Sequence, residues 1–475
     1  MVVGEITEDK DIVVIGGGPG GYHAAIRAAG LGRQVTLIER KDVGGTCLNK
    51  GCIPSKVFTH FAQEYKKTKH LKEMGMEFGE VEANLATLQN YKKKKITQLR
   101  SGIESLCKAN KVEIVRGYAT FLSESRIGVE NGHEFSLFNF KDAIVATGGD
   151  LHYPDGIDFN SDRVLKERQI FELEEIPEEL IVYGADYISL EIASVFSTLG
   201  SFVTLILNED LPFDSSISKE LFRQFKKQKI NVIKSSTIKT VSDTEGKVIV
   251  GLNKANGEMV SIEGSHFVMS GKVKPNLSDI GLDRLRVELT EDDYIQTDRE
   301  GRTSIPHIWA IGDVTEGPSL AVKAIKQGKA AAEAMAGLQV EVDLQFVPMV
   351  VQMSPPIACA GLTEEEAREE GYSVTVSENP VRGNGYAQLM DEKDGFVKVV
   401  SDSETDLILG IHMMGMGAAE LITSGVLGLE MAARDEDFRF PLYPHPSMNE
   451  SLLEAVEGLK GEAVHMPPRK KEMAR

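Results

Sequence analysis

Asp11-Ile-Val-Val-Ile-Gly16-Gly-Gly18-Pro-Gly-Gly21 decides the fold of this chain, because an apolar run here ends in the pattern G-x-G-x-x-G and an alanine-rich helix is predicted after it, over residues 22–31. Gly16 allows a tight turn, Gly18 lets backbone approach a diphosphate, and Gly21 allows the helix to pack closely. A helix N-terminus attracts the diphosphate. The pattern therefore predicts a dinucleotide site.

A second strand is predicted over residues 35–39, and it ends at a carboxylate. Glu39 lies 23 positions after Gly16, where an acidic side chain can accept hydrogen bonds from the two hydroxyls of an adenosine ribose. A lone G-x-G-x-x-G is weak evidence, since other glycine-rich turns also contain it. With the preceding strand, the following helix and the acid, it indicates a Rossmann-like nucleotide-binding domain.

Two cysteines separated by four residues follow in Gly44-Gly45-Thr46-Cys47-Leu-Asn-Lys-Gly-Cys52-Ile-Pro-Ser-Lys56. A thiolate attacks or leaves in disulfide exchange, and a nearby helix start, lysine or flavin lowers a cysteine pKa enough to supply one. A structural zinc site would need four suitably spaced ligands, and the sequence does not provide them. A redox-active disulfide beside a flavin is predicted, and two buried, inert cysteines are the alternative.

Composition excludes several classes of protein. The 475 residues carry a net charge of −19, which disfavours nucleic acid and anionic membranes as partners. The acidic start of the chain has no apolar signal core, and no apolar run approaches membrane-spanning length. A cytoplasmic protein without nucleic-acid or membrane partners is predicted.

Cys107 is interpreted as a core residue on a helical stripe with Leu99, Ile103 and Leu106. The basic run 92–95 in the same helix is interpreted as a solvated face.

A second strand, turn and helix unit begins at Leu180-Ile-Val-Tyr-Gly184 and runs to Leu199, with a partner strand over 203–207. Gly184 lies 168 positions after Gly16, so one chain holds two copies of a nucleotide-binding design. Another apolar strand ends at Asp313, where a carboxylate can bind a ribityl hydroxyl. Alternating segments after Gly337, with helices predicted near Thr363 and Ala418, indicate a further mixed α/β domain.

At these motifs the sequence resembles the flavoprotein disulfide reductases, and within them it is most similar to the dihydrolipoamide dehydrogenases. The resemblance covers nearly the whole chain. Its landmarks are the cysteine motif 44–56, Ala-Thr147-Gly-Gly149, Ala-Ile-Gly312-Asp313, Gly361-Leu-Thr-Glu-Glu-Glu-Ala and His445-Pro-Ser-Met-Asn-Glu450. It implies an α/β fold with two Rossmann-like nucleotide-binding domains and a C-terminal α+β dimerisation domain. The predicted bounds are 1–150 for FAD, 151–275 for an NAD-binding-like domain, 276–345 for a return to the FAD domain, and 346–475 for the interface domain.

The resemblance also implies an activity. The enzyme would oxidise the dihydrolipoyl group on the lipoyl domain of a 2-oxoacid dehydrogenase or glycine cleavage complex, and pass electrons through Cys47, Cys52 and one non-covalent FAD per subunit to NAD. A homodimer would deliver His445 to the disulfide of the other subunit, with Glu450 orienting the imidazole. No metal is implied.

The remaining site positions follow from the same resemblance. Lys56 is expected near the flavin and paired with Glu191, an ordinary interdomain ion pair being the alternative. The cofactor-binding positions are Gly16, Gly18, Gly21, Glu39, Gly45, Thr46, Lys56, Gly117, Thr147, Gly148, Gly149, Glu191, Asp313 and Ala321 for FAD, and Gly184 and Gly271 for NAD.

The second nucleotide unit departs from the family pattern. Asp186 replaces its second glycine, Ser189 its third, and Leu207 the ribose-binding acid. At about 5 Å and an effective dielectric constant of about 20, the repulsion between a carboxylate and a phosphate charge costs roughly 3 kcal/mol, about a hundredfold in affinity. A weakened NAD site is predicted. The alternative function is a homologue that uses another electron acceptor, or a flavin-binding subunit without turnover.

Overall fold

The structure is a computed structural model and describes residues 7–466. It divides into two compact units. The first unit contains the chain up to Val57 and residues 86–154 and 271–344, and the second contains residues 58–85, 155–270 and the chain from Gln345 onward. The domain bounds given above from the sequence stay a prediction.

The helices are α1 (Pro19–Gly30), α2 (Gly45–Asn49), α3 (Cys52–Glu73), α4 (Leu85–Ala109), α5 (Tyr187–Leu199), α6 (Ser215–Lys227), α7 (Ala321–Met335), α8 (Glu364–Glu369), α9 (Gly385–Leu389), α10 (Ala418–Glu430), α11 (Asp435–Arg439) and α12 (Asn449–Glu457). The strands are β1 (Thr7–Ile15), β2 (Val35–Glu39), β3 (Glu113–Arg116), β4 (Tyr118–Ser123), β5 (Arg126–Asn131), β6 (Glu134–Val145), β7 (Gly149–His152), β8 (Val164–Lys166), β9 (Glu179–Tyr183), β10 (Phe202–Ile206), β11 (Asn231–Ile233), β12 (Ser236–Thr244), β13 (Lys247–Lys254), β14 (Met259–Gly264), β15 (His266–Met269), β16 (Lys272–Pro275), β17 (Ile308–Ala310), β18 (Met349–Val351), β19 (Ile357–Gly361), β20 (Val374–Pro380), β21 (Phe396–Asp402) and β22 (Ile408–Met414). Among the described residues, no helix has both the length and the apolar character needed to cross a membrane.

The first unit is built on a seven-stranded sheet in the order β3-β2-β1-β6-β5-β4, with β17 also pairing with β6. The strands β3, β2, β1, β6 and β17 pair in parallel, as a nucleotide-binding sheet requires. Ile15 of β1 lies opposite Ile38 of β2 and Val145 of β6. The turns after these strands therefore emerge at one edge of the sheet, where the sequence predicts the first site.

The core of the first unit corrects two predictions from the sequence. Cys107 is fully buried beside Ile103, as expected, but Leu99 and Leu106 of the proposed stripe are exposed. Of the four residues in the predicted stripe on α4, only Ile103 and Cys107 are buried. Lys92 is also buried, so the basic run 92–95 is not wholly a solvated face.

The second unit contains a five-stranded parallel sheet in the order β11-β10-β9-β15-β8. Ile206 of β10 lies opposite Tyr183 of β9, so the turn after β9 and the residue after β10 share one edge of this sheet. The register matches that of β1 and β2 in the first unit. The prediction of two copies of one nucleotide-binding design is confirmed at the level of topology.

A five-stranded antiparallel sheet, ordered β18-β19-β22-β21-β20, forms the C-terminal part of the second unit. The helices predicted near Thr363 and Ala418 are present as α8 and α10. Thr363 begins α8 with a capping box, because its side chain accepts the N–H of Glu366 while the Glu366 carboxylate accepts the N–H of Thr363. Helix α10 packs on β19 and β22.

A buried ion cluster lies within the second unit. Lys398 on β21 donates to both carboxylate oxygens of Asp214, at 2.9 and 3.0 Å, and to Glu364 at 2.8 Å. The side chains of Lys398 and Asp214 are 1% and 0% exposed. Burial opposes ionisation of Asp214, but the bonds from Lys398 and from the N–H of Glu364 outweigh it and lower its pKa. The cluster joins the start of α6 to the antiparallel sheet.

Buried His412 on β22 is expected to make the stability of the second unit depend on pH. Its Nε2 bonds to the carbonyl of Leu362 at 2.9 Å, and burial lowers its pKa although Leu362, Asp214 and Glu366 favour the charged form. Because the unfolded chain takes up the proton below the ordinary pKa of 6.5, the free energy of unfolding falls as pH falls through that value. We therefore expect the free energy of unfolding to be lower at pH 5 than at pH 7, and His412 to account for part of that difference.

The comparison of wild type with His412→Gln tests this expectation. Glutamine carries a donor but takes up no proton, so the variant should lose less stability between pH 7 and pH 5 than the wild type does. Denaturant unfolding at pH 7, 6 and 5 measures the difference. Parallel curves for the two proteins would contradict the assignment to His412.

Candidate active site

The turn after β1 is shaped by glycines that no other residue can replace. Gly16 has a φ of +106°, and a Cβ there would lie 2.3 Å from the carbonyl oxygen of Ala146. A Cβ at Gly21 would lie 1.9 Å from the carbonyl oxygen of Gly16. The first glycine therefore forms the turn and the third lets α1 pack against it, as predicted from the sequence.

The N-terminus of α1 is open to a ligand. Gly18 is its N-cap, with extended backbone and no side-chain cap, so the first N–H groups of the helix have no side-chain acceptor at the cap. Gly45 lies against it, because a Cβ at Gly45 would approach the Cα of Gly18 to 2.7 Å. The donors and the close backbone approach fit the diphosphate of a dinucleotide.

Glu39 is held in place at the end of β2. Its Oε2 accepts the N–H of Gly17 at 2.7 Å and its Oε1 accepts the N–H of Lys41 at 2.8 Å. The backbone of Glu39 in turn accepts the N–H of Gly117 at 3.1 Å. Gly117 has a φ of +154° and is crowded by Glu130 and Val129, so glycine is needed there to support the Glu39 turn.

The other predicted residues of the first site follow β6 and β17, which are paired with each other. Thr147 donates to the carbonyl of Asn276 at 2.8 Å, and Gly148 has a φ of +73°. Asp313 follows β17 in a short helical turn, and Ala321 begins α7, whose N-terminus has no side-chain cap. These residues belong to the first unit, at the edge that holds the turn after β1.

One buried residue beside this group was not predicted. Lys323 on α7 donates to the carbonyls of Thr315 and Glu316, both at 2.9 Å. Burial lowers its pKa to about 8, although the charge of Asp313 opposes the shift. The one hint in the sequence is that Lys323 stands in an alanine-rich helix. Its burial could not be predicted, because it depends on the 315–320 loop folding over the side chain.

Cys47 and Cys52 are brought together, as predicted. Cys47 lies in the short helix α2, which also holds Thr46, and Cys52 begins α3. Both are free thiols, half-buried, and their side chains are hydrogen-bonded to each other. Glycine at position 51 lets the chain turn between the two helices, since its N–H bonds to the carbonyl of Thr46 at 2.8 Å.

The electrostatics of the pair favour one thiolate at a time. The bond with Cys52, and then burial, raise the pKa of the Cys47 thiol, while the positive charge of Lys56 works in the opposite direction. The physical cause is that a second thiolate would lie beside the first in a partly buried site. One sulfur can therefore be ionised while the other keeps its proton, which suits a dithiol that exchanges with a disulfide.

Lys56 and Glu191 belong to different units. Lys56 is half-buried in the first turns of α3, and Glu191 is buried on α5. The Oε1 of Glu191 accepts the N–H of Gln352 at 2.8 Å, a contact within the second unit that the sequence did not indicate. The pairing of Lys56 with Glu191 stays a prediction.

His445 and Glu450 form the second predicted pair. The Nδ1 of His445 lies 2.8 Å from Oε1 of Glu450, and Oε2 of Glu450 accepts the N–H of Ser447 at 2.9 Å. Burial opposes ionisation of Glu450, but these hydrogen bonds outweigh it and lower its pKa. An ionised Glu450 accepts the Nδ1 proton of His445, which leaves Nε2 as a proton acceptor on an exposed ring.

Asn384 supports this loop and was missed in the sequence. Its Nδ2 donates to the carbonyl of Ser447 at 2.9 Å, while its Oδ1 caps α9 by accepting the N–H of Tyr386 at 2.8 Å. The S-x-x-E pattern from Ser447 to Glu450 is a helix-start signature, and it could have predicted the local bond between these two residues. The bond from Asn384 spans 63 positions and has no local signature.

The second nucleotide unit differs from the first at the equivalent position. Asp186 is the N-cap of α5, and its Oδ1 accepts the N–H of Ile188 at 2.8 Å and of Ser189 at 2.9 Å. Ser189 is buried. A Cβ added to Gly184 would lie only 2.3 Å from the Oγ of Ser189, so the two residues are in close contact. The amide donors that Gly18 leaves open in the first unit are bound by a side chain in the second.

Leu207 stands where the first unit has the carboxylate of Glu39, and it offers no side-chain acceptor. It follows β10, is 2% exposed, and bonds through its backbone to the carbonyl of Ile233 and the N–H of Ser236. Gly271 belongs to the first unit, where a Cβ would be 2.9 Å from the ring of Tyr153. The second unit therefore keeps the topology of a nucleotide-binding domain, while Asp186 and Leu207 change the side chains at its edge.

Comparison with known proteins identifies the class. Residues 10–328 match the family described as pyridine nucleotide-disulphide oxidoreductase, and residues 347–456 match the dimerisation domain of these oxidoreductases. The chain belongs to the pyridine nucleotide-disulphide oxidoreductase family, and the prediction of an α/β fold with a C-terminal dimerisation domain is confirmed.

The relatives are more specific. The dihydrolipoyl dehydrogenases of Geobacillus stearothermophilus and Halobacterium salinarum are each 36% identical to this chain, over 98% of it and 99% of their own length. The crystal structure of LpdA from Mycobacterium tuberculosis has a TM-score of 0.88 and 26% identity, and the alignment covers 95% of this chain and 99% of that chain. These full-length matches favour an enzyme over the alternative of a subunit without turnover.

Proposed function

We propose that this protein is an FAD-dependent dihydrolipoyl dehydrogenase, which oxidises the dihydrolipoyl group carried by the lipoyl domain of a 2-oxoacid dehydrogenase or glycine cleavage complex. The observation that carries the proposal is the presence of both reactive pairs in one chain: two half-buried cysteines hydrogen-bonded to each other, and a histidine whose Nδ1 is held by a carboxylate. The 36% identity to dihydrolipoyl dehydrogenases supports the choice of substrate.

The cysteines carry out the thiol exchange. A dihydrolipoyl thiolate attacks the Cys47 sulfur, the bond between Cys47 and Cys52 breaks, and Cys52 leaves as a thiolate. The second dihydrolipoyl thiol then attacks its own sulfur in the mixed disulfide, which forms the lipoyl disulfide and releases Cys47. Two electrons now reside on the cysteine pair. Because the pKa of the Cys47 thiol is raised, one of the two sulfurs keeps its proton.

His445 removes the proton that makes the substrate nucleophilic. Glu450 accepts the Nδ1 proton, so Nε2 is the basic nitrogen, and the imidazolium formed after proton transfer is stabilised by the same carboxylate. We propose that His445 acts on the disulfide of a second copy of the chain, which the resemblance to the family implies. The site would then be complete only in a homodimer.

A homodimer is supported by exposed apolar side chains in the C-terminal part of the second unit. Phe440 and Leu442 are 90% and 101% exposed, Leu427 on α10 is 61% exposed, and Met431, the C-cap of α10, is 71% exposed. Large apolar side chains in such numbers on one segment are costly to leave in water and mark an interface. They lie in or next to the residues that match the dimerisation domain.

FAD is the proposed resident cofactor, held non-covalently by the first unit. The open N-terminus of α1, the approach of Gly45 to Gly18 and the fixed carboxylate of Glu39 fit a dinucleotide with an adenosine ribose. Bound FAD supplies a two-electron acceptor for the reduced cysteine pair. Asp313 is proposed to bind the ribityl chain.

The family implies NAD as the final electron acceptor, with Gly184 as the proposed contact in the second unit. We propose that the second unit binds it weakly, because Asp186 and Leu207 replace the residues that receive a diphosphate and a ribose. The residues at the N-terminus of α5 do not fit a diphosphate while the Asp186 carboxylate is bound there.

His445→Ala is expected to slow the reduction of the protein by dihydrolipoamide by roughly 100-fold or more, because a general base contributes on the order of 10²–10⁴ to a proton-transfer step. Glu450→Ala should have a smaller effect in the same direction, since it removes the group that fixes the tautomer. Anaerobic stopped-flow absorbance with dihydrolipoamide measures both. FAD content should equal that of the wild type, because both residues lie outside the FAD-binding unit.

His465→Ala is the matched control. His465 also bonds to a carboxylate of α12, with Nδ1 at 2.7 Å from Glu454, but it is outside the predicted base pair. Its replacement should change the rate much less than that of His445. Wild-type rates in His445→Ala would remove the base from the mechanism, and failure of dihydrolipoamide to reduce the wild-type protein would overturn the proposed function.

A further inference from the structure

We infer that Asp186 is an internal ligand of the second nucleotide unit: its carboxylate occupies the diphosphate position at the N-terminus of α5 and competes there with any dinucleotide. The inference rests on the proposed function and makes it more specific, since it explains why a unit with the right topology would bind NAD weakly. It assigns to Asp186 a role as the residue that sets the nucleotide affinity of this unit.

The side chain of Asp186 caps helix α5. Oδ1 of Asp186 accepts the N–H groups of both Ile188 and Ser189, at 2.8 and 2.9 Å. These N–H groups are among the four that a helix leaves unsatisfied at its start. They are also the groups that a bound diphosphate uses in this fold. One anion is therefore already in place, supplied by the chain.

The first unit of the same chain has no such side-chain cap. Gly18 occupies the equivalent position in α1, also as the N-cap in extended conformation, and it provides no side-chain acceptor. The φ and ψ of Gly18 are −69° and −177°, and those of Asp186 are −79° and 169°. The two backbones have the same conformation, so the difference between an open and a filled helix terminus lies in the side chain alone.

Occupancy of the amide donors and charge repulsion have different consequences for a neutral side chain at position 186. Repulsion alone acts through the net charge of Asp186, and a neutral side chain of the same shape would remove it. Occupancy acts through the hydrogen bonds, which the amide oxygen of an asparagine can also accept. An intramolecular acceptor competes at a high effective concentration, so Asn and Gly at position 186 should differ if the donors are occupied.

Ligand affinity tests the inference. The oxidised holoenzyme is titrated with ADP-ribose, which carries the diphosphate and cannot reduce the flavin, and with adenosine, which lacks the diphosphate. Asp186→Gly is expected to bind ADP-ribose roughly 10 to 100 times more tightly than the wild type, with no comparable gain for adenosine. Asp186→Asn should recover only part of that gain. Isothermal titration calorimetry gives each dissociation constant.

Thermal unfolding supplies an independent readout. The midpoint should fall in Asp186→Gly, because the cap is lost, and should stay near the wild-type value in Asp186→Asn, because asparagine caps as well as aspartate. Thr363→Ala, which removes the cap of α8 in the same unit, controls for cap loss alone: its midpoint should also fall, with ADP-ribose affinity unchanged.

Three results would overturn the inference: micromolar ADP-ribose binding by the wild type with no gain in Asp186→Gly, equal gains in Asp186→Asn and Asp186→Gly, or a gain for adenosine as large as that for ADP-ribose. The proposed function fails by a different measurement, the reduction of the wild-type protein by dihydrolipoamide. Leu207→Glu is not used in this test, because Leu207 is buried and a carboxylate there would alter stability as well as binding.

Discussion

Gly18→Asp is expected to yield a folded protein that purifies without FAD. The change gives the first unit the same N-cap side chain as the second. An aspartate at position 18 can accept the N–H groups of Gly20 and Gly21. Asp186 accepts the equivalent N–H groups of Ile188 and Ser189. The repulsion between one carboxylate and a diphosphate at about 5 Å alone costs roughly 3 kcal/mol, about a hundredfold in affinity.

The apoprotein should tolerate this substitution. A Cβ at Gly18 would lie no closer than 4.0 Å to its neighbour Gly45, and the φ of −69° suits any residue. The flavin absorbance per chain and the far-ultraviolet circular dichroism are the measurements. Gly18→Ala is the control, because it adds the Cβ without the carboxylate and should lose less FAD. Full FAD content in Gly18→Asp would show that the first unit does not bind the diphosphate as proposed.

Cys47→Ser and Cys52→Ser are each expected to lower dihydrolipoamide turnover by ~10³-fold or more, because a serine hydroxyl neither forms a disulfide nor leaves as a thiolate. FAD content and the midpoint of thermal unfolding should change little, since serine is nearly isosteric with cysteine. Steady-state oxidation of dihydrolipoamide measures the loss.

The two variants should differ in their absorbance. If Cys52 is the sulfur beside FAD, Cys47→Ser should keep a long-wavelength band from the Cys52 thiolate, and Cys52→Ser should lack it. Cys107→Ser, a buried thiol outside the pair, serves as the control and should keep full turnover. Identical spectra for Cys47→Ser and Cys52→Ser would mean that the roles of the two sulfurs are assigned wrongly.

The two nucleotide units share a topology and differ in the side chains at its edge. Both begin with a strand, a glycine turn and a helix, and both place the next strand in the same register. The first unit has Gly18 and Glu39 at the positions where the second has Asp186 and Leu207. A single carboxylate at a helix N-cap stabilises the protein by roughly 1 kcal/mol, and we infer that Asp186 does so at the expense of nucleotide affinity.

The sequence by itself determined the local features. The glycines at 16 and 21 were identified correctly because their roles follow from backbone sterics within a few residues. The approach of the two cysteines also follows from the local sequence, since four intervening residues between two helices bring the sulfurs together; their redox role stays a prediction. Strand β2, the start of α3 and the helices after Thr363 and Gly417 follow from short-range patterns of the same kind.

Only the tertiary structure decided where side chains far apart in the sequence meet or turn inward. Lys92 and Lys323 are buried, Asn384 holds the loop of His445, and Lys398 joins Asp214, 184 positions away. None of these contacts has a periodic signature, because burial depends on which element covers the residue. Asp186 is the clearest case: its identity suggested repulsion, but its rotamer, set by two amide donors of α5, shows a carboxylate that fills the helix terminus.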